Sequence, residues 1–200
     1  LVASDLQKLS IAAHNGADSW VISGFSEAIE QVQTVCRAQG IRCQRLTVSH
    51  AFHSVMMQPM LQAFGSIAAS IDYHSPQRVI ISTVSGTPVR SEMSNADYWV
   101  NHISAPVRFG DAVQYVLQQG AVVALEIGPD AHCVGMASHV AQALPQCAQT
   151  PLWLPSLSSK KGEWVRILDT LGQLYCAGMP IRWDHIDRGY ARQRVALPTY

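Results

Sequence analysis

The chain of 200 residues is long enough for one domain with a hydrophobic core or for parts of two domains. Its 14 Lys and Arg residues balance 14 Asp and Glu residues without any basic run, which argues against binding to nucleic acid or to an anionic membrane surface. Because 48% of the residues are hydrophobic and only 14% are charged, we expect other protein to cover part of the surface.

The cysteines and the apolar runs give an indication of the cellular compartment. Cys36, Cys43, Cys133, Cys147 and Cys176 are odd in number and contain no C-x-x-C pair, which disfavours both a disulfide framework and a zinc ribbon. Every apolar run is interrupted well before the ~20 residues that a membrane span needs, and the first residues show no basic-then-apolar leader. These patterns predict a cytoplasmic protein with no membrane segment.

Residues 1–47 are predicted to form a small sheet with one helix across it. The runs "LSIAAHNG" and "DSWVISG" read as short strands, and an Asn-Gly dipeptide is a turn signal between them. From Phe25 to Gln39 apolar residues recur at helical spacing, and Gly40 is placed to end the helix. The run "IRCQRLTV" (41–48) alternates as a strand. This order is similar to part of a ferredoxin-like unit.

Residues 48–150 alternate between helical and strand patterns. We expect a helix over 55–69, a strand in "RVIISTVSG", a helix in "ADYWVNHISAPVRF" that Pro106 breaks, and a helix in "GDAVQYVLQQG" that Gly120 closes. The apolar run "AVVALEIGP" then has the length and composition of a fully buried strand of a parallel sheet. Helices and strands in this succession predict an α/β layer architecture.

The composition changes beyond Thr150. The segment "TPLWLPSLSSKKGE" is rich in Pro and Ser, "EWVRILDTLGQLYCAGMPIRW" has the pattern of one amphipathic helix, and the last residues are basic and extended. The apolar residues are too many for a free tail, so we expect a linker over 151–200 that packs on other protein.

The stretch "VSHAFHS" carries two candidate functional residues, His50 and His53. A helical zinc site of the H-E-x-x-H type needs histidines at i and i+4 with a glutamate between them, whereas these are at i and i+3, so a metal site is disfavoured. Two interpretations remain: hydrogen-bonded structural histidines at a buried junction, or a general base at His53, which lies where a strand gives way to a helix. A serine nucleophile for such a base is missing, because no G-x-S-x-G is present.

Six stretches taken together resemble one family. In order they are "IAAHNGADSWVISG", "VSHAFHSVMMQPML", "SPQRVIISTVSGTPV", "ADYWVNHISAPVRF", "ALEIGP" and "LPSLSS…RVALPTY". They are similar to the C-terminal part of the acyltransferase domain of a modular type I polyketide synthase, followed by its post-acyltransferase linker. The resemblance implies an α/β fold with a ferredoxin-like small subdomain at 1–47, incomplete at its N-terminus. The C-terminal part of an α/β-hydrolase-like large subdomain follows at 48–150, and a helical and extended linker at 151–200.

The resemblance also implies roles for individual residues. His53 matches the histidine that serves as general base and acid toward a serine in an upstream G-H-S-x-G elbow. His50, Ala51 and Phe52 match the rest of the specificity motif, whose H-A-F-H form is associated in this family with malonyl units. Asn15 matches an asparagine lining the acyl pocket. His102 stands where the family usually has Asn or Gln, whose backbone carbonyl accepts the Nδ1 proton of the histidine.

The substrate and partners follow from the same resemblance. We expect malonyl-CoA as substrate, no cofactor bound by this chain, and phosphopantetheine carried by a partner acyl carrier protein. The other expected partners are the upstream part of the acyltransferase domain and a ketosynthase domain. Without the upstream serine the chain alone is expected to be inactive. The alternatives are a non-catalytic scaffold or docking fragment of a synthase and an α/β-hydrolase-like esterase.

Overall fold

The computed structural model of the protein describes residues 7–144, 151–160, 162–186, 188–191, 193 and 195–199. Cys147 of the sequence analysis lies outside them. The chain forms two compact units, one made of residues 1–122 and 135–151 and the other of residues 123–134 and 152–200. Among the described residues, no helix combines the length and the apolar character that a membrane span requires.

The first unit begins with the predicted hairpin. Strand β1 (Leu9–Gly16) pairs antiparallel with β2 (Ser19–Gly24), and two register shifts interrupt the ladder. The turn lies at residues 17–18, directly after the Asn-Gly dipeptide that the sequence analysis took for the turn. Helix α1 (Ser26–Ala38) follows, ending close to the glycine predicted to terminate it.

The predicted third strand of this subdomain is wrong. Residues 41–48 have no regular structure and are exposed along their whole length. Alternation gives a segment the side-chain pattern of a strand, but a strand also needs a neighbour to pair with, and in the described part of the chain the hairpin sheet contains β1 and β2 alone. The ferredoxin-like description of 1–47 therefore stays a prediction.

The middle of the first unit follows the sequence pattern closely. A 3₁₀ turn (Val55–Met57) leads into helix α2 (Gln58–Ala68), which accepts Pro59 in its first turn because the N–H that proline lacks has no helical partner there. Strands β3 (Ile80–Ile81) and β4 (Pro88–Val89) form a short antiparallel pair, so the strand predicted in "RVIISTVSG" is shorter than its pattern.

Two helices complete this middle region. Helix α3 (Ala96–Ser104) packs against α2, and α4 (Phe109–Gln118) packs against β1. Helix α3 ends just before Pro106, as predicted, and α4 ends just before Gly120, whose φ of 78° is the left-handed value that closes helices.

The second unit contains a parallel strand pair. Strand β5 (Val123–Glu126) pairs in register with β6 (Leu152–Pro155). The prediction that β5 is fully buried is wrong, because Leu125 is 41% exposed. Burial on both faces requires covering layers, and among the described residues this sheet has two strands.

The described residues beyond β5 also include helices α5 (Cys133–Gln142), α6 (Glu163–Cys176) and α7 (Trp183–Ile186). The single helix predicted in "EWVRILDTLGQLYCAGMPIRW" is therefore α6 followed by the separate short α7. Helix α6 packs against β6, and the buried Thr170 hydroxyl donates a hydrogen bond of 2.7 Å to the Pro155 carbonyl. The domain boundaries proposed from the sequence, 1–47, 48–150 and 151–200, remain a prediction.

Candidate active site

His53 lies in a tight turn with an unusual backbone. Its φ is 56°, and among the described residues it is the one non-glycine residue with a positive φ. The left-handed conformation costs an L-residue about 1–2 kcal/mol, and such strain persists only where surrounding contacts hold it. Strained backbone of this kind is concentrated at functional sites, which singles out His53 from the other histidines independently of any motif.

The turn is closed by the neighbouring residue Ser54. Its Oγ donates a hydrogen bond of 2.6 Å to the Ala51 carbonyl and accepts one of 3.2 Å from the Met56 N–H. Ser54 thus caps the 3₁₀ turn that starts at Val55, and its side chain is buried. Short polar side chains cap helical turns in this way because the first N–H groups have no partner inside the turn.

The C-terminal end of α3 holds the imidazole ring. The His53 backbone N–H donates to the Ile103 carbonyl at 3.2 Å, and His53 Nδ1 lies 2.8 Å from the Ala105 carbonyl. Ala105 is extended (φ −68°, ψ 145°) because the ring of the following Pro106 excludes the helical conformation. Its carbonyl therefore does not point along the helix axis, as a helical carbonyl would, and instead faces the His53 ring.

This arrangement corrects the prediction for His102. The carbonyl that accepts from His53 Nδ1 belongs to Ala105, three residues further along the chain. The bond does come from the main chain, as the resemblance implied. The prediction chose the wrong residue. Because α3 continues through Ser104, the carbonyl that faces His53 is that of the C-cap residue, Ala105.

The carbonyl partner determines the tautomer of the neutral His53 ring. A carbonyl oxygen can accept a hydrogen bond and cannot donate one, so the proton in the bond belongs to Nδ1. Nε2 of the neutral ring is then the proton acceptor. This is the arrangement that a general base toward a hydroxyl or thiol requires.

His102 contributes its ring to the site. The ring centroids of His53 and His102 are 6.2 Å apart, and Tyr98 and Trp99 each lie 6.1 Å from the His102 ring. Burial lowers the pKa of His102 below its usual value, and the positive charge that His53 carries when protonated lowers it further. His102 therefore presents a neutral ring beside His53 at neutral pH.

The predicted specificity segment, residues 50–52, directly precedes His53 and is partly exposed. The His50 and Phe52 rings are 5.9 Å apart, and His50 Nδ1 is hydrogen-bonded to Ser49 Oγ at 3.0 Å. Phe52 is 47% exposed, so its ring presents free surface to a ligand or to further protein. Ala51 is partly buried, and its carbonyl is the acceptor for Ser54.

The end of β1 beside Asn15 pairs with the segment that follows α3. The His14 N–H donates to the Val107 carbonyl at 2.8 Å, and the Val107 N–H donates to the Ala12 carbonyl at 2.8 Å. The end of β1 that carries Asn15 is thus paired with the chain two residues beyond the carbonyl that holds His53. Asn15 and His53 are therefore both close in the structure to the short backbone segment 105–107.

The sequence analysis missed Ser54 and Ala105 as members of the site. Pro106 was the signal for Ala105, because the residue before a proline cannot remain helical. The signal for Ser54 was its position before a helical run, where Ser is a favoured cap. Among the described residues, no group of three or more His, Cys, Asp or Glu side chains is arranged to hold a metal ion.

Comparison with known proteins places these features in a class. The acyltransferase domain from the second module of the salinomycin polyketide synthase superposes with a TM-score of 0.85 and 33% identity, covering 98% of this chain and 45% of that chain. A malonyl-CoA:acyl carrier protein transacylase from Xanthomonas oryzae shares the fold, with a TM-score of 0.67 and 20% identity over 80% of this chain and 49% of that one. The class is an α/β acyltransferase.

The sequence comparisons give the family. The family described as "Acyl transferase domain" matches residues 2–178, and the chain belongs to it. Polyketide synthase GfsA of Streptomyces halstedii is 34% identical over 194 residues, which are 96% of this chain and 2% of that protein. Mycoketide-CoA synthase of Mycobacterium tuberculosis is 36% identical over 193 residues, or 96% of this chain and 4% of that protein.

The predicted resemblance to polyketide synthase acyltransferases is confirmed. The chain spans less than half of the two solved proteins named above and a few per cent of these two curated synthases.

Proposed function

We propose that this chain supplies the general base of a polyketide synthase acyltransferase. In the proposed reaction a serine preceding these residues accepts an acyl group from malonyl-CoA and passes it to the phosphopantetheine thiol of an acyl carrier protein. The observation that carries the proposal is the 2.8 Å contact between His53 Nδ1 and the Ala105 carbonyl. The chain includes no G-x-S-x-G, so it would be inactive without the part that provides the serine.

The two half-reactions use the same nitrogen. In the first, Nε2 of His53 takes the serine hydroxyl proton while the serine oxygen attacks the thioester carbonyl, and the proton then goes to the departing CoA thiolate. In the second, Nε2 takes the proton of the phosphopantetheine thiol while its sulfur attacks the serine ester. The serine oxygen leaves and regains that proton, which restores the enzyme.

Malonyl selectivity is proposed for the segment His50, Ala51 and Phe52. A phenyl ring beside the α-carbon of the extender would leave room for the unsubstituted carbon of malonyl and crowd an added methyl group. A hydrophobic wall separates substrates that differ by one methyl by about 1–3 kcal/mol. The exposed ring of Phe52 supports the idea that it lines a surface completed by ligand or by further protein.

The remaining assignments are part of the same proposal. Asn15 would line the acyl pocket, and an upstream part of the acyltransferase domain, a ketosynthase domain and an acyl carrier protein would be the partners. A cytoplasmic location fits this role.

The test is acyl transfer by the full-length protein that carries these residues. Malonyl-CoA and methylmalonyl-CoA are offered in competition, and acyl-carrier-protein product is measured separately from free acid. His53→Ala should lower transfer by ~10²–10⁴-fold, the usual contribution of a general base. His74→Ala, which removes an exposed histidine, is the matched control and should transfer at the parent rate.

The other outcomes identify the rivals. Unchanged transfer in His53→Ala would show that this histidine is not the base. Free acid without dependence on carrier protein would indicate a hydrolase. Absence of transfer and of hydrolysis in the parent protein would indicate a scaffold.

A further inference from the structure

We propose that Ser54 is a positioning residue that holds His53 in its left-handed conformation and joins it to the specificity segment at 50–52. The inference rests on the proposed function of His53 as the base. Ser54 touches neither the imidazole ring nor any reacting atom in this arrangement, so its effect on the reaction passes through the backbone of its neighbour.

The hydrogen bonds of Ser54 bracket the strained residue. On the N-terminal side its Oγ donates to the Ala51 carbonyl at 2.6 Å, and on the C-terminal side it accepts from the Met56 N–H at 3.2 Å. The Ser54 carbonyl also accepts from the Met57 N–H at 3.0 Å. One side chain therefore ties together the residues before and after His53.

Ser54 is 2% exposed, and its two hydrogen bonds are part-buried. Removal of the hydroxyl leaves the Ala51 carbonyl and the Met56 N–H without the partner that fixes the turn. The turn then relaxes toward an ordinary conformation, because the φ of 56° at His53 is unfavourable without contacts that enforce it.

Relaxation of the turn has two consequences for the reaction. The His53 ring shifts relative to the Ala105 carbonyl. This carbonyl lies 2.8 Å from Nδ1 and determines the tautomer of the ring. A displacement of about 1 Å of a catalytic group can lower a rate by about 10²-fold. Ala51 moves with the same turn, so the choice between malonyl and methylmalonyl should change together with the rate.

The experiment compares Ser54→Ala and Ser54→Thr in the full-length protein. For Ser54→Ala we expect kcat for transfer to fall by about 10–100-fold, with a smaller change in KM for malonyl-CoA. Ser54→Thr keeps the hydroxyl at an extended backbone position (φ −135°, ψ 171°) that a β-branched residue accepts, and it should recover most of kcat. The competition between the two extender thioesters is read in the same samples.

A matched control separates positioning from stability. Thr170 is also buried, at 3% exposure, and its hydroxyl also donates to a backbone carbonyl, that of Pro155 at 2.7 Å. Thr170 belongs to the other compact unit. Thr170→Val deletes an equivalent hydrogen bond, so it should lower the midpoint of denaturation while leaving kcat and extender choice as in the parent.

A nearly isosteric variant covers the case in which Ser54→Ala does not fold. Ser54→Cys replaces the hydroxyl with a weak donor of similar shape, and an intermediate kcat supports the proposal. Parent kcat and parent extender choice in Ser54→Ala, or in Ser54→Cys if that variant alone folds, overturns it. If that result comes with loss of transfer in His53→Ala, the proposed function stands and only the role of Ser54 is refuted.

Discussion

The contact between α4 and the end of β1 gives a sharp prediction for Gly110. A Cβ added at Gly110 would lie 3.1 Å from Gly16 N, 3.2 Å from Gly16 Cα and 3.3 Å from the Asn15 carbonyl carbon. These are backbone atoms of a strand that pairs with β2 and with Val107, so they cannot swing aside as a side chain would. Gly110→Ala should push apart the helix and the strand that carries Asn15.

The expected change in the free energy of unfolding is the difference between a stabilising and a destabilising contribution. Replacing glycine by alanine inside a helix stabilises a protein by about 0.5–1 kcal/mol, while overpacking a tight contact costs about 1–3 kcal/mol. Because the contact at Gly110 is against backbone, we expect the second term to win and the free energy of unfolding to fall by about 1–2 kcal/mol.

Gly135→Ala is the control. Gly135 lies in helix α5 and belongs to the same compact unit as Gly110, and among the described residues no atom beyond its chain neighbours and the backbone of its own helix lies within 4 Å of the added Cβ. This substitution should raise the free energy of unfolding by about 0.4–1 kcal/mol. Both variants are measured by guanidinium denaturation followed by tryptophan fluorescence. The reasoning is refuted if Gly110→Ala stabilises the protein as Gly135→Ala does.

Two further predictions concern α3, the helix whose C-terminal end contacts His53. The pKa of His102 is lowered by burial and by His53, so the unfolded chain binds protons more readily and the free energy of unfolding should fall as pH drops below about 6.5. His102→Asn should flatten this fall between pH 7 and pH 5, and a pH dependence equal to the parent's would contradict the assignment. Asn95 caps α3 by accepting from the Tyr98 N–H at 3.0 Å, so Asn95→Ala should cost about 1 kcal/mol of unfolding free energy in a denaturation experiment, and Asn95→Asp much less.

The sequence predicted the helices of this chain better than its strands. Helix ends depend on local chemistry, and Pro106 and Gly120 mark the ends of α3 and α4 within two residues. A strand depends on a neighbour that is distant in sequence. The alternation at 41–48 therefore predicted a strand that does not form, and the apolar run around β5 predicted a parallel strand that does form but is not fully buried.

In the candidate site, too, some residues could be predicted from the sequence and others needed the structure. His53 could be selected by its resemblance to a known motif, and its backbone conformation now singles it out independently. The motif could not identify the carbonyl that orients His53. The choice between His102 and Ala105 depends on the residue at which α3 ends. The sequence analysis assigned Ser54 no role, and its capping role became visible with its two hydrogen bonds.

The parallel pairing of β5 with β6 has a consequence during protein synthesis. Paired residues of the two strands, such as Val123 and Leu152, are 29 positions apart in the sequence. A ribosome adds roughly 5–20 residues per second, so the partner of each β5 residue is synthesised about 1.5–6 s later. Until Leu152–Pro155 emerges, the backbone groups of Val123–Glu126 and the exposed apolar side chains of Val122 and Ile127 beside them are open to other nascent chains. During this interval the unpaired strand is open to aggregation, and binding by a chaperone would protect it.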